Sequence, residues 1–152
     1  MQKESNPVGK MEDRGIFSAR VLSWPKETVY NAFANPALLA KWWGPEGFNN
    51  TFQKFDLRPG GSWDFVMHGP GGKDYRNKSV FVSIAAVERV ILDHLEPVHS
   101  FRMTISFDEY GTGTRLSFHM LFDDADECGR VKEYIIEGNE QNFDRLEALL
   151  GG

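Results

Sequence analysis

Cysteine is almost missing from this sequence: Cys128 is the only one in 152 residues. No internal disulfide can form, so the fold must be held by a buried core. Long apolar runs are missing too, and none approaches the roughly 18 residues that a membrane-spanning helix needs. The opening Met1-Gln2-Lys3-Glu4-Ser5-Asn6-Pro7 lacks the apolar centre of a secretion signal. These absences lead us to expect a reducing, cytoplasmic setting with no membrane span. Positive charge is also scarce, with 17 Lys and Arg against 22 Asp and Glu and a net charge of -5. Without a basic patch there is no electrostatic footprint for DNA or RNA, and nucleic acid is excluded as a partner.

Catalytic and metal-binding signatures are equally thin. His68, His94, His99 and His119 fall in no His-x-x-x-His or His-x-His arrangement, and no cysteine pair accompanies them, so no metal site is expected. Gly69-Pro70-Gly71-Gly72-Lys73 has neither the spacing of a phosphate loop nor a Ser or Thr after the lysine; it reads as a hairpin turn, and no cofactor is implied. No serine occupies a nucleophile elbow. Asn49-Asn50-Thr51 and Asn77-Lys78-Ser79 match the glycosylation pattern but lack a secretory context. Cys128 falls in the first turn of a helical segment, where a thiolate is favoured, yet nothing around it completes a nucleophile.

What the chain does have is aromatic side chains, 12 Phe and 4 Trp, in a length that suits one domain with a substantial core. Residues 1–12 are polar and read as a loose arm, leaving 13–152 as the folded domain. Gly15 to Leu22 has strand character. Pro25 suits the first turn of a helix in which Val29, Ala32 and Phe33 share a face. Asn35-Pro36 repeats the device, Asn35 capping and Pro36 opening a second helix with Leu38, Leu39 and Trp42 at helical spacing. That helix ends in Trp42-Trp43-Gly44-Pro45. Adjacent indoles cannot share a helix face, so Trp42 is assigned to anchor the helix and Trp43 to form a wall elsewhere.

After Gly44-Pro45 the periodicity changes to two. Thr51 to Leu57 and Ser62 to His68 flank the turn Arg58-Pro59-Gly60-Gly61, with Trp63, Phe65 and Met67 on one side. A β-rich run from Tyr75 to Ile84, a strand from Val90 to Leu95, and two alternating strands follow. In these last, Phe101, Met103, Ile105 and Phe107 oppose Arg102, Thr104 and Ser106, and Leu116, Phe118 and Met120 oppose Arg115, Ser117 and His119. The connection between them is placed at residues 108–113. Such a sheet has one wet face and one face that needs a cover. Residues 124–150 supply it as one long amphipathic helix, with Val131, Ile135, Gly138, Asn142, Leu146 and Leu149 in register.

The element order, Trp42-Trp43-Gly44-Pro45, Asp56-Leu57-Arg58-Pro59-Gly60-Gly61 and Gly138-Asn139-Glu140-Gln141-Asn142-Phe143-Asp144-Arg145-Leu146 together resemble the family related to the C-terminal domain of the activator of heat-shock protein 90 ATPase, within the START-like (SRPBCC) superfamily. The resemblance covers residues 14–150. It implies an α+β helix-grip fold, a curved antiparallel sheet around a long C-terminal helix, with a cavity between them. Relatives include lipid and hormone binders, polyketide aromatase/cyclases and a co-chaperone domain, so what it implies is a pocket and not one reaction. Asn139 stands where many relatives carry tryptophan, which implies a more polar lining.

The residues alone leave open whether Trp43, Phe65, Met67, Phe101, Met103, Phe118 and Met120 pack against Ile135, Gly138 and Asn142 or line a cavity with them; the resemblance implies the cavity. Its occupant is expected to be a small apolar or aromatic molecule oriented by His94, Tyr75 or Asn142. The alternatives are a cyclase or hydratase using His94 as acid or base, and an interaction module presenting Arg102, Arg115 and His119. A chaperone and a second copy of the chain are the protein partners left open.

Overall fold

The computed structural model describes residues 13–96 and 100–151; His99 and the arm at residues 1–12 lie outside them. Strand β1 (Gly15–Leu22) is followed by helices α1 (Lys26–Ala34) and α2 (Pro36–Trp42). Six strands follow: β2 (Asn49–Phe55), β3 (Ser62–His68), β4 (Asp74–Ala85), β5 (Arg89–Glu96), β6 (Phe101–Tyr110) and β7 (Gly113–Phe122). Helix α3 (Ala125–Gly151) ends the chain. The strands form one curved sheet in the order β1-β7-β6-β5-β4-β3-β2, each neighbouring pair antiparallel. This is the helix-grip arrangement that the family resemblance implies.

Local chemistry explains the helix boundaries. Asn35 Oδ1 accepts from the Ala37 N–H at 3.0 Å, and Pro36 takes the first position of α2, where no N–H is needed. Pro25 is placed one residue earlier than expected: it caps α1 with its carbonyl, which accepts from Thr28 and Val29, and Lys26 opens the helix. The β6–β7 connection is also tighter than the sequence reading, because pairing runs on to Tyr110 and Gly113. Only Gly111 and Thr112 are left in the turn, with Gly111 at φ 61°.

Helix α3 is pinned at its start and in the middle. Asp124 Oδ1 accepts from the Asp126 N–H at 3.1 Å, capping its start. Midway, Arg20 of β1 reaches Glu140, Asp144 and Glu147 at 2.7, 2.6 and 2.9 Å and lies over the Phe143 ring. Desolvation works to lower the Arg20 pKa, but the hydrogen bonds that it donates to Asp144, Glu140 and Glu147 outweigh it and hold it above the ordinary arginine value. The inner face of α3 buries Cys128, Asn139, Asn142, Phe143 and Leu146. Burial raises the Cys128 thiol pKa and so favours the neutral form over the thiolate.

Under the other end of the sheet lies an aromatic core. Trp63, 1% exposed, stacks on Phe65 at 4.8 Å and meets Phe33, Phe52 and Phe55 edge-on at 5.7–5.8 Å. Phe81 lies nearly parallel to it at 6.1 Å. Offset and edge-on rings at these distances are the favoured aromatic geometries. This cluster fills the space beneath α1 and leaves the opposite end, beneath the middle of α3, less completely packed.

Candidate functional site

The less packed end is a pocket of about 350 Å³ between the sheet and α3. Strand register assembles its floor. Met67 pairs with Tyr75, His94 with Phe101, Met103 with both Leu92 and Met120, and Ile105 with Phe118. Alternation then turns Met67, Tyr75, His94, Phe101, Met103, Phe118 and Met120 to the pocket, while Ile135, Gly138 and Asn142 line it from the helix. Trp43 closes one end.

Phe65 is a correction. Although it shares a strand face with Met67, it does not line the pocket; it is buried between Trp63 and Phe52, with ring centroids at 4.8 and 5.3 Å. Two residues along a strand span roughly 6.6 Å, enough to pass from filled core to open space. Lining residues that sequence reasoning left out are Gly44, Pro45, Phe48, Asn77 and Tyr134, while Asn139, whose polar lining the family resemblance implies, is among those that line it. Asn77 had a signal: in Tyr75-Arg76-Asn77-Lys78-Ser79 the charged residues alternate with neutral ones, so Asn77 shares the inward face of Phe81.

Trp43 partitions the interior. One side packs on Trp42, Trp63, Phe118 and Phe33 at 5.5, 5.1, 5.8 and 6.1 Å, and the residue also lines the pocket. Its neighbour Trp42 is buried and donates Nε1–H to Ala32 O at 3.0 Å. That carbonyl would ordinarily accept from the residue four positions on, which is Pro36 and has no N–H. The tryptophan anchors the helix pair by filling the vacancy that the proline creates.

The same logic secures the Trp43-Gly44-Pro45 segment. Pro45 cannot donate to Lys41 O, so Arg145 does, at 2.9 Å. The other end of the guanidinium donates to the carbonyls of Trp43, Gly44 and Pro45 at 3.2, 2.8 and 3.1 Å. Burial lowers the Arg145 pKa, with Glu46 acting in the opposite direction. Asn50 Nδ2 adds bonds to Ala40 O and Trp43 O at 3.1 and 2.8 Å. Asn142 Oδ1 accepts from Gly44 N at 2.8 Å. Gly44 is at φ 101°, and a Cβ there would stand 2.6 Å from Met67 Cε. The segment is thus clamped to α3 through its backbone, and Trp43 is held rigidly.

Polar groups in the pocket are few and mostly paired. His94 Nε2 donates to Asn77 Oδ1 at 3.1 Å, and its ring stacks on Phe101 at 4.6 Å. Asn77 Nδ2 donates to Tyr75 O at 3.1 Å. Asn139 Nδ2 donates to Ser18 Oγ at 3.1 Å and contacts Met120 Sδ at 3.8 Å. Asn142 Nδ2 donates to Gly138 O at 3.1 Å. Among the described residues, no Asp, Glu, Lys or Arg lines the pocket. Among the described residues, no group of three His, Cys, Asp or Glu could hold a metal ion, and no helix is long and apolar enough to cross a membrane. On the outer face, Arg102 is paired to Asp93 at 2.8 Å and Arg115 lies over Phe17.

No curated protein matches the chain in sequence. Solved structures share the fold. A protein from Nitrosomonas europaea superposes with a TM-score of 0.83 at 23% identity, covering 92% of this chain and 96% of that one. One from Mycobacterium smegmatis gives 0.82 at 23% identity, with 93% of each chain covered. A third, from Chromobacterium violaceum, gives 0.75 at 27% identity over 90% of this chain and 96% of that one. The profile described as Activator of Hsp90 ATPase homolog 1-like protein matches residues 23–151. With that match running from the first helix to the last, over a sheet that grips α3, the chain belongs to the Activator of Hsp90 ATPase homolog 1-like family.

Proposed function

We propose that this protein binds a small apolar or aromatic molecule in the pocket between the sheet and α3, in a cytoplasmic setting. The observation that carries the reading is the pocket itself: about 350 Å³, walled by Trp43, Phe101, Phe118 and three methionines. That volume falls within the roughly 300–1,000 Å³ of small-molecule sites, and a mostly apolar wall with a few fixed polar groups is their usual composition. Methionine side chains adapt their shape to a guest at little cost. The Asn77–His94 pair, Asn139 and Tyr75 are the groups that orient the guest. Acid–base catalysis would rest on His94 and the phenols of Tyr75 and Tyr134, since among the described residues the lining holds no carboxylate, lysine or arginine; binding is therefore the better-supported role.

Gly138 provides the test. A Cβ there would meet only Pro45 Cγ, at 3.8 Å. The glycine is therefore not needed for close packing, and Gly138→Ala will raise stability by about 0.5–1 kcal/mol, the helix-propensity gain. Gly138→Phe will direct a ring into the pocket and remove the thermal shift produced by an aromatic probe such as 2-naphthol, while the circular dichroism stays native. A Phe variant that binds the probe as well as the parent does would move the guest to another site.

A further inference from the structure

The lining of the pocket also bears on the charge of its guest. Of the described residues that line it, none is Asp, Glu, Lys or Arg. Cations near the pocket lie outside its lining: Lys73, exposed, has its ammonium over the Tyr75 ring at 5.3 Å, and the arginines are held by other groups. Arg145 spends its guanidinium on four backbone carbonyls, and Arg20 is bound by three carboxylates. A neighbouring polar cleft of about 340 Å³ shares His94 and Phe101 with the pocket, but its two arginines are also engaged: Arg14 donates to Phe122 O at 2.8 Å and Arg102 forks onto Asp93. A carboxylate buried among Trp43, Phe118 and Met103 would find no Lys or Arg among the described residues that line the pocket, and burying an ion without a direct partner costs far more than burying a neutral group. The chain's net charge of -5 adds to the repulsion.

The polar atoms present suit a neutral donor. Asn139 is 6% exposed and its amide N–H groups are directed to Ser18 and Met120, so what it can offer a guest is its carbonyl oxygen. Tyr75, partly exposed, adds a hydroxyl that can donate or accept. We propose that the pocket selects uncharged apolar molecules bearing a hydroxyl, with Asn139 as the specificity-determining acceptor, and rejects the carboxylates of the same skeleton. This inference rests on the pocket being a binding site.

The experiment compares 2-naphthol, 2-methylnaphthalene and 2-naphthoate at a pH of about 8, where imidazole is neutral and the naphthol still carries its proton. Binding is followed at the methyl resonances of Met67, Met103 and Met120, which report the pocket and not the neighbouring cleft. We expect 2-naphthol to bind at least about tenfold more tightly than 2-naphthoate, and Asn139→Leu to remove its advantage over 2-methylnaphthalene. Naphthoate binding equal to or tighter than naphthol would overturn charge selection and leave the pocket standing. An undiminished naphthol preference in Asn139→Leu would overturn the role of Asn139. If none of the three probes moves the methionine methyls, the binding reading falls, and the inference with it.

Discussion

Trp63→Ala will destabilise the protein by about 3–5 kcal/mol, the cost typical of deleting a large buried aromatic side chain. Trp63 is 1% exposed and touches Phe33, Trp43, Phe52, Phe55, Phe65 and Phe81, so its removal leaves a cavity bounded by rings that cannot all collapse into it. Domain stabilities total about 5–15 kcal/mol, so a large part of the folding free energy is at stake. Trp63→Phe will cost much less. The Trp63 Nε1 is buried with no acceptor among the described residues, so losing the indole N–H relieves an unpaired donor as it removes ring area. Trp42→Phe is the control in the opposite direction, because it strands the Ala32 carbonyl that Pro36 cannot serve. Denaturant melts of the three variants test the ordering: Trp63→Ala worst, Trp42→Phe next, Trp63→Phe mildest. A Trp63→Phe variant less stable than Trp42→Phe would contradict the hydrogen-bond assignment.

Arg145→Ala will cost about 2–4 kcal/mol and loosen the pocket wall. Hydrogen bonds from a charged donor contribute roughly 1.5–3 kcal/mol each, and water will replace some of the four that Arg145 makes. The functional effect should exceed what stability alone suggests, because the Trp43 segment loses its main tie to α3 and keeps, among the described residues, the bonds that it donates to Asn142 and Gln141 and the one that it accepts from Asn50. Arg145→Lys retains the charge but not the planar fork, and will recover only part of the loss. Probe affinity measured alongside stability separates the two effects. If Arg145→Ala binds 2-naphthol like the parent at a temperature where both are folded, Trp43 does not depend on this clamp.

The strands and helices were legible because each carries an unmixed period. The alternation of β6 and β7, the Asn35-Pro36 boundary and the long face of α3 all follow from spacing within a few residues. The pocket was legible only as a face. Phe65 and Met67 have the same inward phase, and nothing in their immediate sequence says that packed core ends between them. Arg145 was opaque for another reason: its partners Lys41, Trp43, Gly44 and Pro45 lie 100–104 residues away, and it recognises their carbonyls, which every residue has. The hint was indirect. Prolines at 36 and 45 each remove a donor four positions after a helix carbonyl, and Trp42 and Arg145 are the side chains that take their places. Asn77 was legible by alternation, whereas its contact with His94 depends on a pairing that β-bulges in β4 and β5 shift locally.

The central claim is that the space between the sheet and α3 receives a guest. The most direct measurement is a titration of methyl-labelled protein with 2-naphthol, following the methionine methyls by NMR and using the indole of Trp24, which packs near Gly151, as an internal control. The account predicts saturable shifts at Met67, Met103 and Met120 with Trp24 unmoved. Saturable binding that leaves those three methyls in place, or no binding at any soluble concentration of probe, would contradict it.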